Sequence, residues 1–157
     1  MSKSFGLEAR KAIIYGLEIA KVNHLDEVGP EEFMRAILTF DCDGRRALQS
    51  EGIDLQKLDE CLQQEAVSTF DLQRIDISLF GRESFDIALS ERVRAKSLQV
   101  TTLMLALGCL QSRAPRIKEA VERLHISHHA LRKHLRRSES IEPSEPLLNF
   151  LKGSIFP

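Results

Sequence analysis

Two adjacent glutamates, Glu31 and Glu32, follow Gly29-Pro30, and four histidines and eight basic residues crowd the stretch 113–137. A pair of carboxylates does general acid–base work only when the two face each other across a cleft. Neighbours on a helix point about 100° apart, so Glu31-Glu32 does not read as a catalytic pair. For Glu31 the simplest role is to sit in an exposed first helical turn, where a carboxylate opposite the helix dipole is worth about 0.3–1 kcal/mol. Charge reversal there is then expected to leave the fold intact.

His125, His128, His129 and His134 raise a metal reading. His125 and His129 share a face only in a helix that includes both, and Ser127 reads as an N-cap that leaves His125 outside. No cysteine or carboxylate stands at a spacing that completes a closed tetrahedral site. Cys42, Cys61 and Cys109 are odd in number and widely spaced, and read as reduced structural thiols. No serine or cysteine sits in a nucleophile elbow, and no glycine-rich phosphate loop occurs. The expectation is a protein that is not an enzyme, binds no metal or other cofactor, and by itself neither binds nor hydrolyses ATP.

Net charge is −1, unevenly spread. Residues 41–76 carry nine acidic against four basic side chains, and residues 113–137 eight basic against two acidic. The stretch 117–137 taken alone has the form of a helix-turn-helix whose second helix would offer Arg132, Lys133, Arg136 and Arg137 to DNA. The same form recurs at 45–63, where the second helix carries Asp54, Asp59 and Glu60. An acidic twin cannot bind DNA, so the form belongs to a repeat and only its charge is special. A pI near 6.5 also lacks the overall basic bias of nucleic-acid binders. A DNA-binding regulator using 117–137 is therefore the runner-up, and nucleic acid is not the expected partner.

The elements that position these residues are helical almost throughout. Apolar residues at 13, 14, 17, 19 and 20 place a helix over Leu7 to about Val22. Pro30 opens a second helix with Phe33, Met34, Ile37 and Leu38 on its buried face. Asp43 is the expected cap of a third, ended by Gly52, and Asp54 caps a fourth bearing Leu55, Leu58 and Leu62. Residues 66–77 form a connector with β-branched character. A fifth helix is expected over about 82–95, a sixth over 102–110 behind Thr101, a seventh from Pro115, and an eighth behind Ser127.

The second four repeat the first. Phe33-Met34 matches Leu103-Met104 at an offset of 70, as do Tyr15/Phe85, Leu17/Ile87 and Val28/Leu98. Further on, Ala47/Ala120, Ile53/Ile126, Leu58/Leu131 and Leu62/Leu135 match at 73. A period near 70 is too long for the common solenoids. The reading is an all-α domain of about eight helices, two four-helix repeats related by a pseudo-twofold. The domain spans 1–137, with repeat one at about 5–65 and repeat two at about 77–137. Residues 138–157 read as a linker and an apolar tail around Leu147-Leu148-Asn149-Phe150-Leu151. No apolar run reaches the roughly 18 residues of a membrane span, and no signal or transit peptide is read at Met1-Ser2-Lys3-Ser4. A cytoplasmic location with no membrane partner is expected.

Phe5 before a long Ala-bearing helix, the box Val28-Gly29-Pro30-Glu31-Glu32-Phe33-Met34-Arg35-Ala36-Ile37, and a helix ending in Gly52-Ile53-Asp54 resemble the double repeat at the N-terminus of Clp/Hsp100 AAA+ unfoldases. The resemblance covers about residues 5–137. It departs from the family pattern at Pro30, Glu32 and Arg35, and the second box has decayed to Val100-Thr101-Thr102-Leu103-Met104-Leu105. The resemblance implies a non-catalytic domain, free-standing or divergent, that captures substrate polypeptides or adaptor proteins for a Clp ATPase; an accessory subunit tuning Clp assembly is a second option. In some members the box glutamates bind the guanidinium of a phosphorylated arginine. Glu31 matches the first of them, and Thr101 stands in the second place without a carboxylate. The implied peptide- or adaptor-binding residues are Glu31 and Glu32 on one side of a groove with Thr101 and Thr102 opposite, suited to a single basic group flanked by apolar residues.

Overall fold

A computed structural model describes residues 4–66 and 74–135. Arg136, Arg137 and the linker and tail 138–157 lie outside the described residues. Among the described residues, eight helices and two very short strands follow in the order α1 (Leu7–Val22), β1 (Glu27–Val28), α2 (Pro30–Ile37), α3 (Asp43–Ser50), α4 (Leu55–Leu62), β2 (Asp76–Ile77), α5 (Leu79–Arg94), α6 (Thr102–Leu110), α7 (Pro115–Arg123) and α8 (His128–Arg132). The fold is all-α.

Local chemistry sets most boundaries. Asp54 accepts from the amides of Gln56 and Lys57, Ser78 from Gly81, Thr101 from Met104 and Ser127 from Ala130. Each hydroxyl or carboxylate satisfies amides that the first helical turn leaves unpaired. Pro30 and Pro115 take first positions, where a missing N–H costs nothing. The third helix departs from expectation: Asp43 is its first residue and Cys42 its N-cap. Asp43 instead accepts from Arg46 Nη2 at 2.7 Å, so its carboxylate serves an ion pair on the same turn. α5 starts three residues earlier than its apolar pattern suggests, because Ser78 supplies a cap. Four chain reversals after α1, α3, α5 and α7 use left-handed backbone, at His24, Gly52, Lys96 and His125.

Those caps and reversals correct the repeat register. Leu7 and Leu79 open α1 and α5, Gly29 and Thr101 cap α2 and α6, and His24 and Lys96 take the left-handed position, all 72 residues apart. The offset is therefore 72 in the first half of each copy, in place of 70. It is 73 at Gly52/His125 and at the buried pair Leu58/Leu131, as the apolar matches indicate.

The pseudo-symmetry shows in how each copy completes the other. The Gly6 N–H donates to the Val100 carbonyl at 2.9 Å, and 72 residues on the Ser78 N–H donates to the Val28 carbonyl at the same distance. β1 and β2 run parallel with Val28 opposite Ile77, and Phe5 bridges Val100 in the matching place. The segment leading into each copy's first helix is thus stitched to the chain just before the box helix of the other.

Behind these stitches α2 and α6 pack together at the centre, with α1 against α2 and α5 against α6. Every residue of α6 is buried, and α2 is buried except at Arg35. Phe85 meets Phe5 edge-on at a centroid distance of 5.5 Å and Phe33 at a tilt at 5.2 Å, tying both copies into one core. Rings in that separation range add roughly 0.5–1.5 kcal/mol per pair beyond simple burial.

Candidate functional site

Glu31 and Glu32 occupy the first turn of α2, where Gly29 in an extended conformation leaves the strand and Pro30 starts the helix. Glu32 reaches back so that its Oε1 accepts from the Gly29 N–H at 2.8 Å, one half of a capping box. Both side chains then lie under the chain that follows α4. Gln64 Nε2 donates to Glu31 Oε2 and to Glu32 Oε2, each at 2.7 Å. Glu31 is only 8% exposed and Glu32 1%. This corrects the expectation of an exposed first turn at Glu31: the chain after α4 folds over it.

The glutamates line a cavity of about 310 Å³ together with Leu25, Asp26, Glu27, Gly29, Gln64, Ser78, Phe80, Ala114, Pro115 and Arg116. Its walls come from both copies, with the β1 approach on one side and the starts of α5 and α7 on the other. Glu31 Oε1 is buried and has no hydrogen-bond partner among the described residues. Left without a donor, a buried carboxylate oxygen costs on the order of 1–3 kcal/mol or more.

Electrostatics follow from that placement. Burial raises the pKa of Glu31, offset in part by its own backbone N–H and by the charge of Arg116. Burial also pushes Glu32 up to about 7; the Gly29 amide, Gln64 and Arg35 pull against this, and the neighbouring charge of Glu31 adds to it. Asp26 and Glu27 add further negative charge to the rim. The lining thus sets four carboxyl groups, Asp26, Glu27, Glu31 and Glu32, against the one guanidinium of Arg116.

Thr101 and Thr102 do not line this cavity. Both are buried, at 3% and 0% exposure. The Thr101 hydroxyl caps α6, and Thr102 Oγ1 accepts from the Gly44 N–H at 2.9 Å, holding α3 against α6. At the corrected offset the residue matching Glu31 is Leu103, so only one copy brings carboxylates to such a place. The sequence reading missed Gln64, Ser78 and Arg116, each of which lies far from Glu31 along the chain and reaches it through folding alone. The acid pair itself was the only local signal.

At the basic end, two side chains are tied into the fold. Arg132 donates from Nε and Nη2 to Glu91 and from Nη2 to Gln111 Oε1. His134 Nε2 lies 2.8 Å from Glu51 Oε2. His125 lies outside α8 in left-handed backbone, as the Ser127 cap requires. Burial lowers the pKa of His128, with Arg132 adding to the effect. Among the described residues no three metal-ligating side chains converge, and no helix is long and apolar enough to cross a membrane. The three cysteines are free, Cys42 and Cys109 buried and Cys61 partly so.

No protein-family model matches the chain, and no curated protein matches it in sequence. Solved structures match it in shape. The Hsp104 N-terminal domain from Candida albicans is 16% identical with a TM-score of 0.71, over 83% of this chain and 88% of that one. The N-domain of ClpV from Vibrio cholerae is 15% identical with a TM-score of 0.67, over 83% and 82%. A ClpV N-domain in complex with a VipB peptide is 13% identical with a TM-score of 0.63, over 83% and 84%.

Proposed function

We infer that this chain, which has the fold of the Clp/Hsp100 N-terminal domains, is a non-catalytic recognition domain that binds polypeptide partners. The partner class is substrate polypeptides or adaptor proteins of a Clp-type ATPase, and the basic group of such a partner enters the cavity at Glu31 and Glu32. One observation carries this reading: in a cavity lined by four carboxyl groups and one guanidinium, the buried Glu31 Oε1 has no donor from any other residue among those described, and a guanidinium or ammonium would supply one. The ClpV N-domain, alike in fold, is known in complex with a peptide. A charge-assisted hydrogen bond in a desolvated place is about twice as strong as a neutral one, which gives the site its selectivity. Thr101 and Thr102 act in this reading as framework and leave peptide contact to the carboxylates.

A spotted array of synthetic peptides, each offered with arginine, lysine or citrulline at its central position, tests the reading. Peptides with arginine or lysine are expected to bind, their citrulline versions to lose at least tenfold, and Glu31→Gln to erase the difference. Binding indifferent to the central charge, or no binding by any peptide, would overturn it.

Of the four residues the DNA reading would use, Arg132 is turned inward onto Glu91, and Arg136 and Arg137 lie outside the described residues.

A further inference from the structure

We propose that the Glu31–Glu32 cavity exchanges a proton for a cation: empty, it keeps one proton on the carboxylate pair, and on taking up a partner's basic side chain it releases that proton to water. The proposal rests on the reading of the cavity as the place where a basic group enters, and adds how that entry is regulated.

The geometry carries the argument. Two carboxylates on successive residues would normally diverge around a helix. Here both turn to one donor, because Gln64 Nε2 lies 2.7 Å from an oxygen of each. The two Oε2 atoms thereby share one nitrogen, at a depth where both residues are more than nine-tenths buried. Like charges so placed do not both ionise easily, and the group that titrates is the pair. A neutral amide gives no charge to balance them.

The surroundings leave the pair short of positive charge. Asp26 and Glu27 line the same cavity from the β1 approach and bring two more carboxyl groups to it. Arg116 at the start of α7 acts on Glu31 only through space, forming no ion pair with it among the described residues. Arg35, on α2 itself, is bonded to Asp59 Oδ1 at 2.9 Å. From α6 comes the Cys109 thiol, whose pKa burial pushes up, so it stays neutral. The start of α5 contributes Ser78 and Phe80, and the cavity edge Ala114 and Pro115, none of them charged. One proton retained on the pair is the way this set approaches balance.

Uptake of a cation reverses that preference. A guanidinium or ammonium N–H donates to Glu31 Oε1, its charge stabilises the doubly ionised pair, and the pair's O–H bond breaks with its electrons left on the carboxylate. The balance is one cation in, one proton out to solvent. Affinity should therefore rise with pH until the empty pair is already ionised, which the raised Glu32 pKa of about 7 places near neutrality.

Two measurements on the whole chain test this. In the first, the side-chain carboxyl carbons of Glu31 and Glu32 are followed by NMR from about pH 4 to about pH 9 without ligand. A titration step near neutrality, reported also by the Gln64 amide, is expected; ordinary carboxylate titration at both residues overturns the proposal. In the second, the tripeptide acetyl-Ala-Arg-Ala-amide is titrated at about pH 6 and about pH 8. One proton held near neutrality predicts about tenfold tighter binding at the higher pH, and a flat response in Glu32→Gln. A neutral titration step with pH-independent binding overturns the exchange and leaves the cation site standing. A neutral step with no binding at either pH overturns both.

Discussion

Arg132 closes on Glu91 from two nitrogens, Nη2 to Oε1 at 2.8 Å and Nε to both carboxylate oxygens at 3.1 and 3.2 Å. The contact ties α8 to the last turn of α5, and Gln111 at the end of α6 joins it from the side. Burial alone would raise the pKa of Glu91, but hydrogen bonds from Arg132 and Gln111 and the charges of Arg132 and Arg94 bring it below the ordinary value. A sequence stretch with the form of a DNA-reading helix thus spends its first arginine on the domain's own core.

Removing that arginine strands a carboxylate that is 2% exposed. Breaking a buried pair from one side costs about 3–5 kcal/mol, and a quarter-exposed arginine places this one towards the lower end. Arg132→Ala is therefore expected to lose about 3 kcal/mol in urea unfolding. Arg132→Lys should recover only part, since a point charge cannot reproduce the fork. A loss below about 1 kcal/mol for the alanine variant would show that the pair contributes little.

Helix count, the caps at Asp54, Thr101 and Ser127, and the two helix-opening prolines were legible because each rests on a residue acting within four positions of itself. The repeat register was not. α6 is buried on every face, so Leu103-Met104-Leu105-Ala106-Leu107 has no apolar–polar rhythm to fix which residue matches Phe33. Look-alike side chains then set the alignment two residues out, whereas the stitches Gly6–Val100 and Ser78–Val28 set it at 72. At the site, the carboxylates were legible and their burial was not, because Gln64 lies more than thirty residues along the chain. A first turn that looks exposed in sequence becomes interior once another segment crosses it.

Glu32 makes stability depend on pH in a direction opposite to Glu91. Unfolded, it releases its proton near the ordinary value of 4.5; folded, it holds it to about 7. Between these values the native state binds more protons, so stability falls as pH rises through the window and stays lower above it. The full span corresponds to on the order of 3 kcal/mol. Glu32→Gln, whose amide oxygen can still accept from Gly29, should be close to wild type at about pH 4 and more stable by up to that amount at about pH 8. Equal stability differences at both pH values, measured by urea unfolding, would contradict this.

Gly108 of α6 packs directly against the backbone of α5. A Cβ there would stand 2.2 Å from the Ser84 carbonyl oxygen and 3.1 Å from the Ala88 Cβ. Alanine gains up to about 1 kcal/mol over glycine in a helix interior. The clash is with backbone, which cannot step aside, and overpacking of this kind costs about 1–3 kcal/mol or more. Gly108→Ala is expected to be destabilising on balance, read as a lowered urea midpoint. A variant as stable as wild type would mean that the two helices separate freely.

Thr102 separates framework from recognition. Its Oγ1 accepts from the Gly44 N–H at 2.9 Å, in a place with no exposed surface. Thr102→Val keeps the shape but leaves a buried amide without that acceptor, at a cost of about 1–3 kcal/mol. Because the residue does not line the Glu31–Glu32 cavity, binding of the arginine tripeptide should change by less than about twofold once the variant is compared under folding conditions. Glu31→Gln should do the reverse: it removes a charge at the cavity and relieves a buried carboxylate, so binding falls while stability holds or rises. If Thr102→Val instead weakens the tripeptide with stability unchanged, the recognition surface extends across α6, and the groove between the two box helices, with Thr101 and Thr102 as its far wall, becomes the better description.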